Sequence, residues 1–136
     1  MALLVIPLVT DGALALARPI NSGTDQCRVL HVVDGDTADI WCAATGFERA
    51  RLVGFDAPEL FSPKCASEII AAQQAKWALC AALFGNADLR LQRGKLDHYD
   101  RCLVTIWVGP DLLAKQMIAD GLVRGYDGGL RQGWCG

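Results

Sequence analysis

The fold is decided by the stretch RVLHVVDGDTADIW, residues 28–41, in which two β-rich runs flank an Asp-Gly turn. Asp-Gly between such runs is a strong hairpin signal, because both residues tolerate the positive φ that a tight two-residue turn requires. The sequence therefore predicts strands at Arg28–Val33 and Thr37–Trp41, joined by a turn at Asp34 and Gly35.

Further elements follow this hairpin along the chain. They are a strand at Phe47–Phe55, a helix at Ala66–Phe84, strands at Asp88–Arg93 and Arg101–Val108, a helix at Leu112–Asp120 and an irregular glycine-rich end at Val123–Gly136. The stripe predicted to face the core on the first helix consists of Ala66, Ile70, Trp77, Ala81 and Phe84. Three strands, a helix, two strands and a helix is the order of an OB-type barrel. We therefore expect an α+β fold, an OB-fold five-stranded β-barrel with two or three helices.

Composition is that of one globular domain. The chain has 136 residues, of which 52% are hydrophobic and 21% charged, enough to build a core. The net charge of −2 and the pI of about 5.6 argue against a protein that coats nucleic acid, whose pI is usually above about 9. A nuclease with a small, locally basic cleft remains compatible with this balance.

The N-terminus, MALLVIPLVTDGALALA, is an apolar run that ends in an A-x-A cleavage pattern. It is shorter than the roughly 20 apolar residues that span a bilayer. We therefore expect a signal peptide at 1–17, a linker at 18–26 and the folded domain at 27–136. This predicts a periplasmic or secreted protein with no membrane contact beyond the export signal. The alternative is a disordered or strand-like N-terminal extension.

Six cysteines are many for a chain of this length. None forms a C-x-x-C pair and no histidine lies at zinc-finger spacing, which argues against a thiolate metal site. Export favours disulfides, and the hairpin places Cys27 and Cys42 almost opposite each other. The sequence does not indicate how the other four cysteines pair, and one or two of them can instead be small buried residues without a disulfide. These four are Cys65, Cys80, Cys102 and Cys135.

Polar residues cluster at 34–37, 51–59 and 97–101, where predicted strands end. Each cluster alone has an ordinary explanation as a turn, a helix entry or a surface ion pair, such as Arg51 with Glu59. Together they supply carboxylates for a hard cation such as Ca²⁺, a candidate base and two arginines. Arginine suits phosphate because it stays charged and binds two oxygens at once.

These clusters carry a resemblance to a known family. The phrases are VVDGDT (32–37), RLVGFDAPE (51–59), DHYDR (97–101) and ADGLV (119–123). They resemble the motifs of the thermonuclease, or staphylococcal-nuclease-like, family over about residues 28–126. The resemblance implies an OB-fold and Ca²⁺-dependent cleavage of phosphodiester bonds in DNA and RNA.

The resemblance also implies site residues, position by position. It implies a Ca²⁺ site with two carboxylates and a backbone carbonyl, from Asp36, Asp56 and Ala57. It implies phosphate-binding arginines and a general base, which are Arg51, Arg101 and Glu59. Two tyrosines are expected to bind substrate, Tyr99 and Tyr126, the second lying one position from the family's own. Asp34 matches a carboxylate farther from the metal.

One departure concerns Asp100, where the family commonly has glycine. A carboxylate there could pair with Arg101 or weaken phosphate binding. If glycine serves a positive φ at this position, Asp100 carries some strain.

Two rival functions remain open. One is a non-catalytic OB-type module that binds nucleic acid or protein, since fold does not imply function. The other is an envelope-stability or protein-interaction domain with inherited motifs. The set of three carboxylates with two arginines favours a nuclease, because a pure binder has no need of carboxylates facing phosphate. A monomer is expected.

Overall fold

The computed structural model describes residues 18–22, 25–85, 88–127, 129 and 132–135. The signal peptide predicted at 1–17 lies outside these residues. The strands are β1 (Arg18–Ser22), β2 (Asp25–Asp34), β3 (Thr37–Cys42), β4 (Gly46–Leu52), β5 (Gly54–Asp56), β6 (Leu89–Leu96), β7 (Cys102–Val108), β8 (Asp111–Leu112) and β9 (Arg124–Tyr126). The helices are α1 (Ala66–Phe84) and α2 (Leu113–Ala119). No helix in the described part of the chain is long and apolar enough to cross a membrane.

The main sheet runs in the order β4-β3-β2-β1-β6-β7-β8. Strand β4 also pairs in parallel with β7, so the sheet curls back on itself. Inward side chains of the curled sheet and one face of α1 share a single core. Its largest fully buried members include Phe55, Ile40, Leu52, Leu79, Leu83, Leu113 and Met117. The predicted α+β fold of the OB type is confirmed.

The β2–β3 hairpin forms, but the turn predicted at Asp34 and Gly35 lies one residue later, at Gly35 and Asp36, because Asp34 still pairs with Thr37. Neither turn residue has the positive φ that an Asp-Gly hairpin turn is expected to need. Cys27 lies opposite Cys42 in the antiparallel register, and the two form a disulfide, which confirms the predicted pair. The chain continues the ladder to Asp34, which faces Thr37 across the turn.

A second disulfide joins Cys65 to Cys135, which are 70 positions apart in sequence. Cys80 and Cys102 lie outside both disulfides. Burial raises the pKa of the Cys102 thiol above its ordinary value, so this residue is poorly suited to be a nucleophile. Cys102 therefore fits the alternative of a small buried core residue.

The linker predicted at 18–26 is wrong as a description of the backbone. Strand β1 pairs antiparallel with β2 along its whole length and touches β6 at Asn21. The sequence RPINS has no run of β-branched or aromatic residues, so propensity does not reveal it. Main-chain hydrogen bonds to two neighbours hold this strand where side-chain pattern gives no signal.

The single strand predicted at Phe47–Phe55 is divided into β4 and β5. Gly54, the first residue of β5, has φ +101°, a conformation that L side chains rarely adopt, and a Cβ there would lie 3.1 Å from the Cβ of Ala114. The break lets β5 pair with β9, which lies in the end predicted to be irregular. Gly54 thus lies opposite Tyr126, which brings the C-terminal region to the end of β4.

The face predicted for α1 is wrong. Ile70 is 63% exposed and Trp77 is 54% exposed. The buried face consists of Glu68, Ala72, Ala75, Leu79, Ala82 and Leu83. Helix α1 is apolar around most of its circumference, so periodicity does not select one face. Small side chains on the buried face let the helix approach the hairpin turn at Gly35.

Gly35 provides a test of this close approach. A Cβ at this position would lie 2.7 Å from the Cβ of Ala75 and 2.8 Å from the Cβ of Ala57. We expect Gly35→Ala to lower the free energy of unfolding by about 1–3 kcal/mol, because the helix must move away. Urea denaturation measures this. Gly133→Ala is the control, since nothing lies within 4 Å of its added Cβ. Equal stability of the two variants would contradict the packing described.

Candidate active site

Asp36 joins the hairpin turn to the loop that follows β5. Its backbone N–H donates to Oδ1 of Asp34 at 3.2 Å. The hydroxyl of Thr37 donates to Asp36 Oδ1 at 3.0 Å, and the backbone N–H of Ala57 donates to Asp36 Oδ2 at 3.0 Å. Because Asp36 is buried and bonded from both segments, its carboxylate has a fixed position. The structure therefore brings together residues that are 21 positions apart in sequence.

The Arg51 side chain is buried rather than exposed on the surface. Its Nη1 donates to the carbonyl of Leu52 and, at 3.0 Å, to the carbonyl of Phe55. Its Nη2 lies 3.5 Å from Asp36 Oδ2 and 3.6 Å from Asp56 Oδ1. The guanidinium is therefore held between two buried carboxylates. This arrangement differs from the surface pair with Glu59 that the sequence allowed.

Further carboxylates lie close to Asp36. Burial, followed by the charge of Asp36 and a hydrogen bond with it, raises the pKa of Asp34 to about 7. Glu59 adds a smaller effect in the same direction, which makes it a neighbour of Asp34. A cation at this place would offset the repulsion among these carboxylates.

The loop that carries Glu59 is held by a residue that sequence reasoning missed. Glu68, in the first turn of α1, is only 3% exposed. Its Oε2 accepts the backbone N–H of Glu59 at 2.9 Å, and its Oε1 accepts the backbone N–H of Lys64 at 2.9 Å. The available signal was an acidic residue in an apolar context at a helix N-terminus. Glu68 therefore fixes the backbone on which Glu59 is carried.

Arg101 is held by Asp97. The Nε of Arg101 donates to Asp97 Oδ2 at 2.8 Å, and the backbone N–H groups of Tyr99 and Arg101 donate to Asp97 Oδ1, each at 2.9 Å. Partial burial pushes the pKa of Asp97 upward, but these hydrogen bonds outweigh it and hold the pKa below its ordinary value. The ion-pair partner is Asp97, whereas the sequence had suggested Asp100. An Asp that accepts the N–H two residues on is a recognised turn pattern and could have indicated this.

The cleft of the site lies beside the two arginines. It has a volume of about 520 Å³, and its lining includes Arg51, Val53, His98, Arg101, Leu103 and Tyr126. Asp36, Asp56 and Glu59 do not line it, and Arg51 links the first two to it. The structure thus brings the two arginines to one cavity and places Asp36 and Asp56 next to Arg51, whereas Glu59 lies near Asp34.

The two tyrosines differ in position. The Tyr126 ring centre is 6.0 Å from the guanidinium carbon of Arg51, and its hydroxyl donates to the carbonyl of Gly129 at 2.8 Å. Tyr99 is 68% exposed and lies outside the cleft lining, although its ring centre is 5.3 Å from the guanidinium carbon of Arg101. Both rings therefore flank an arginine, and Tyr126 is the one that faces the cleft.

Two groups of metal-ligating atoms lie close together in the described residues. Cys65, Glu68 and Cys135 lie within 4.8 Å of one another, but the two sulfurs form a disulfide and are not thiolate ligands. Asp36 and Asp56 offer buried carboxylate oxygens next to the backbone of Ala57. Carboxylate and carbonyl oxygens are the ligands that Ca²⁺ prefers, so this second set fits a hard cation.

Comparison with known proteins agrees with this geometry. The profile of the family described as "Staphylococcal nuclease homologue" matches residues 49–130, more than half of the chain. The chain belongs to the staphylococcal nuclease family. A similar curated protein is the thermonuclease of Staphylococcus hyicus, which is 24% identical over 118 residues, covering 86% of this chain and 69% of the relative. The family resemblance inferred from the motifs is confirmed.

Asp100 departs from the family's common glycine and has φ 63°. It is the one non-glycine residue with positive φ in the described part of the chain. The condition under which Asp100 was expected to carry strain, a positive φ at this position, is therefore met. Because Arg101 follows directly, the backbone conformation that orients this arginine is the strained one.

Substitution of Asp100 tests this strain. We expect Asp100→Gly to be more stable than Asp100→Ala by about 1 kcal/mol, because only glycine adopts this φ without a steric cost. Thermal unfolding measures the difference. The matched pair Asp120→Gly and Asp120→Ala, where φ is −72°, should show no such advantage for glycine. If the glycine variant is more stable than the alanine variant by the same amount at both positions, the backbone at Asp100 is not strained.

Removal of the Glu68 carboxylate tests the support of the Glu59 loop. Glu68→Ala leaves two backbone N–H groups without their acceptor, so we expect the free energy of unfolding to fall by about 2–4 kcal/mol. Urea denaturation measures this, with Gln73→Ala as the control on an exposed face of α1. A loss no larger than that of the control would show that Glu68 does not hold this loop.

Proposed function

We propose that this protein is a Ca²⁺-dependent nuclease that hydrolyses phosphodiester bonds of DNA and RNA. The observation that carries the proposal is that Arg51 and Arg101 line one cleft while buried carboxylates surround Arg51. Membership of the staphylococcal nuclease family and the similarity to a thermonuclease support it. We propose a signal peptide at 1–17, followed by a nuclease domain that includes β1 as well as the predicted residues 27–136, since β1 pairs with β2 and β6.

Asp36, Asp56 and the carbonyl of Ala57 are the residues that would hold Ca²⁺. When bound, Ca²⁺ would supply Lewis-acid polarisation of a phosphate oxygen and balance the carboxylates. The donor set supports this assignment, since it consists of oxygens and its two carboxylates are buried. Asp34 would act on this site through the hydrogen bond from the Asp36 backbone.

The chemistry of the chain's own residues follows from their types. Glu59 is the proposed general base, which takes a proton from the water that attacks phosphorus. The P–O bond to the leaving group breaks, and the leaving oxygen takes a proton from solvent. Arg51 and Arg101 stabilise the negative charge that grows on the phosphoryl oxygens during attack. Tyr99 and Tyr126, next to these arginines, are the proposed substrate-binding side chains.

We propose that the protein is periplasmic or secreted. Its two disulfides support this location, because disulfides form and persist in oxidising compartments. We also propose that it acts as a monomer.

A non-catalytic OB-type module is the second candidate. The observation that favours it is the exposed Tyr99 ring beside Arg101, since aromatic and cationic side chains together bind single strands without cleavage. Such a module would bind nucleic acid whether or not Ca²⁺ is present, whereas the proposed nuclease would degrade it only with Ca²⁺.

The direct test is to incubate the protein with single-stranded DNA in Ca²⁺ and in excess chelator. We expect cleavage in Ca²⁺ alone. In Ca²⁺, Arg51→Ala and Glu59→Gln should each lower kcat by roughly 10²–10³-fold, because each removes a group that acts in the transition state. Undiminished cleavage in chelator would contradict the metal assignment.

The matched control is Arg49→Ala. Arg49 lies on the same strand as Arg51 and also pairs with an aspartate, its Nε lying 2.8 Å from Asp39 Oδ1, but it does not line the cleft. We expect its kcat to stay within a few-fold of the parent. If the Arg51 and Glu59 variants behave like this control, those residues are not catalytic.

A further inference from the structure

A stripe of outward side chains extends from the active site along β7. Arg51 lies opposite Leu103 in the parallel β4–β7 pairing. Leu103, Thr105 and Trp107 then alternate along the strand as partly exposed residues, and the residues between them are buried. Because successive strand residues face opposite sides of a sheet, these three share the face that bears Leu103.

Strand β6 adds polar and cationic groups to the same face. Gln92 lies opposite Thr105, and Arg90 lies opposite Trp107. The guanidinium carbon of Arg90 is 4.4 Å from the ring centre of Trp107. The far end of the stripe is therefore an aromatic ring with a cation on it.

The stripe is continuous with the active-site cleft. A second cavity, of about 350 Å³, is lined by Val53, Gln92, Arg93, Gly94, Lys95, Leu103, Thr105 and Trp107. Val53 and Leu103 line both this cavity and the cleft. We call the second cavity, with Arg90, the outer groove.

The charge of the outer groove differs from that of the whole protein. The chain carries a net charge of −2, yet among the residues that the structure describes no carboxylate lines the cavity. Lys95 is exposed in it, and Arg90 lies at its end. Arg93 contributes less, because its Nη2 is held 2.6 Å from Glu48 Oε1. The outer groove is thus a locally cationic and aromatic surface on an acidic protein.

We propose that the outer groove binds the part of a single-stranded polynucleotide that extends beyond the scissile phosphate. Arg90 and Lys95 contact phosphates, and Trp107 stacks with an unpaired base. From Leu103 to Trp107 the strand rises about 13 Å, and a stacked strand advances about 3.4 Å per nucleotide. More than one nucleotide therefore fits. This inference rests on the proposed function and adds to it a binding surface outside the active-site cleft, which only a strand longer than a dinucleotide reaches.

The test compares the double variant Arg90→Glu/Lys95→Glu with the control Lys76→Glu/Lys115→Glu. Both change the net charge equally, and Lys76 also lies over a tryptophan, Trp77, at 5.9 Å, but on α1. The substrates are dithymidylate and a 12-residue oligothymidylate in Ca²⁺. We expect the ratio of kcat/KM for the 12-mer to that for the dinucleotide to fall at least about ten-fold in the groove variant. The control should keep this ratio within about two-fold of the parent.

Binding of a labelled 12-mer, followed by fluorescence anisotropy on the Glu59→Gln background, tests the groove without turnover. Loss of two phosphate contacts should lower the slope of log K against log salt by about 1.4. If the groove and control variants show equal salt slopes and equal ratios of kcat/KM for the two substrates, the outer groove does not bind the strand. If the parent cleaves neither substrate, the proposed nuclease function is wrong. Binding in the outer groove is then tested by the anisotropy measurement alone.

Discussion

The burial of the Arg51 guanidinium between two carboxylates is the interaction on which the site depends. Arg51 is anchored to the carbonyls of Leu52 and Phe55 and lies 3.5–3.6 Å from Asp36 and Asp56. Buried charges are stable only when they are paired and hydrogen-bonded. The hairpin turn, the end of β4 and the loop after β5 must therefore stay together, and these three segments supply the residues proposed to bind metal and phosphate.

The hairpin and its disulfide could be predicted from sequence because their determinants are local. The turn lies between two β-rich runs, and two register shifts between the turn and the disulfide bring Cys27 opposite Cys42. The three polar clusters could also be found, since each ends a strand. The pairing of Cys65 with Cys135 could not, because it depends on where a distant C-terminal segment passes the start of α1.

Other features were hidden because tertiary contacts decide them. Helix α1 is apolar around most of its surface, so its sequence does not reveal that Ile70 and Trp77 face outward. Strand β1 has no β-rich pattern and is held by pairing with its neighbours. Glu68 looks like a surface residue until the backbone N–H groups of Glu59 and Lys64 are seen to converge on it. In each case, contacts with other parts of the fold determine the structure, and the local sequence does not reveal these contacts.

The proposed Ca²⁺ site depends on the buried carboxylates around Arg51. The most direct measurement is the melting temperature in Ca²⁺ and in chelator. A ligand that binds only the native state adds about 2.7 kcal/mol at 100 times its Kd, so Ca²⁺ should raise Tm by about 10 °C at that concentration. Asp56→Asn, which removes one buried carboxylate, should abolish most of this rise. An identical Tm in Ca²⁺ and in chelator for the parent protein would contradict the proposed Ca²⁺ site.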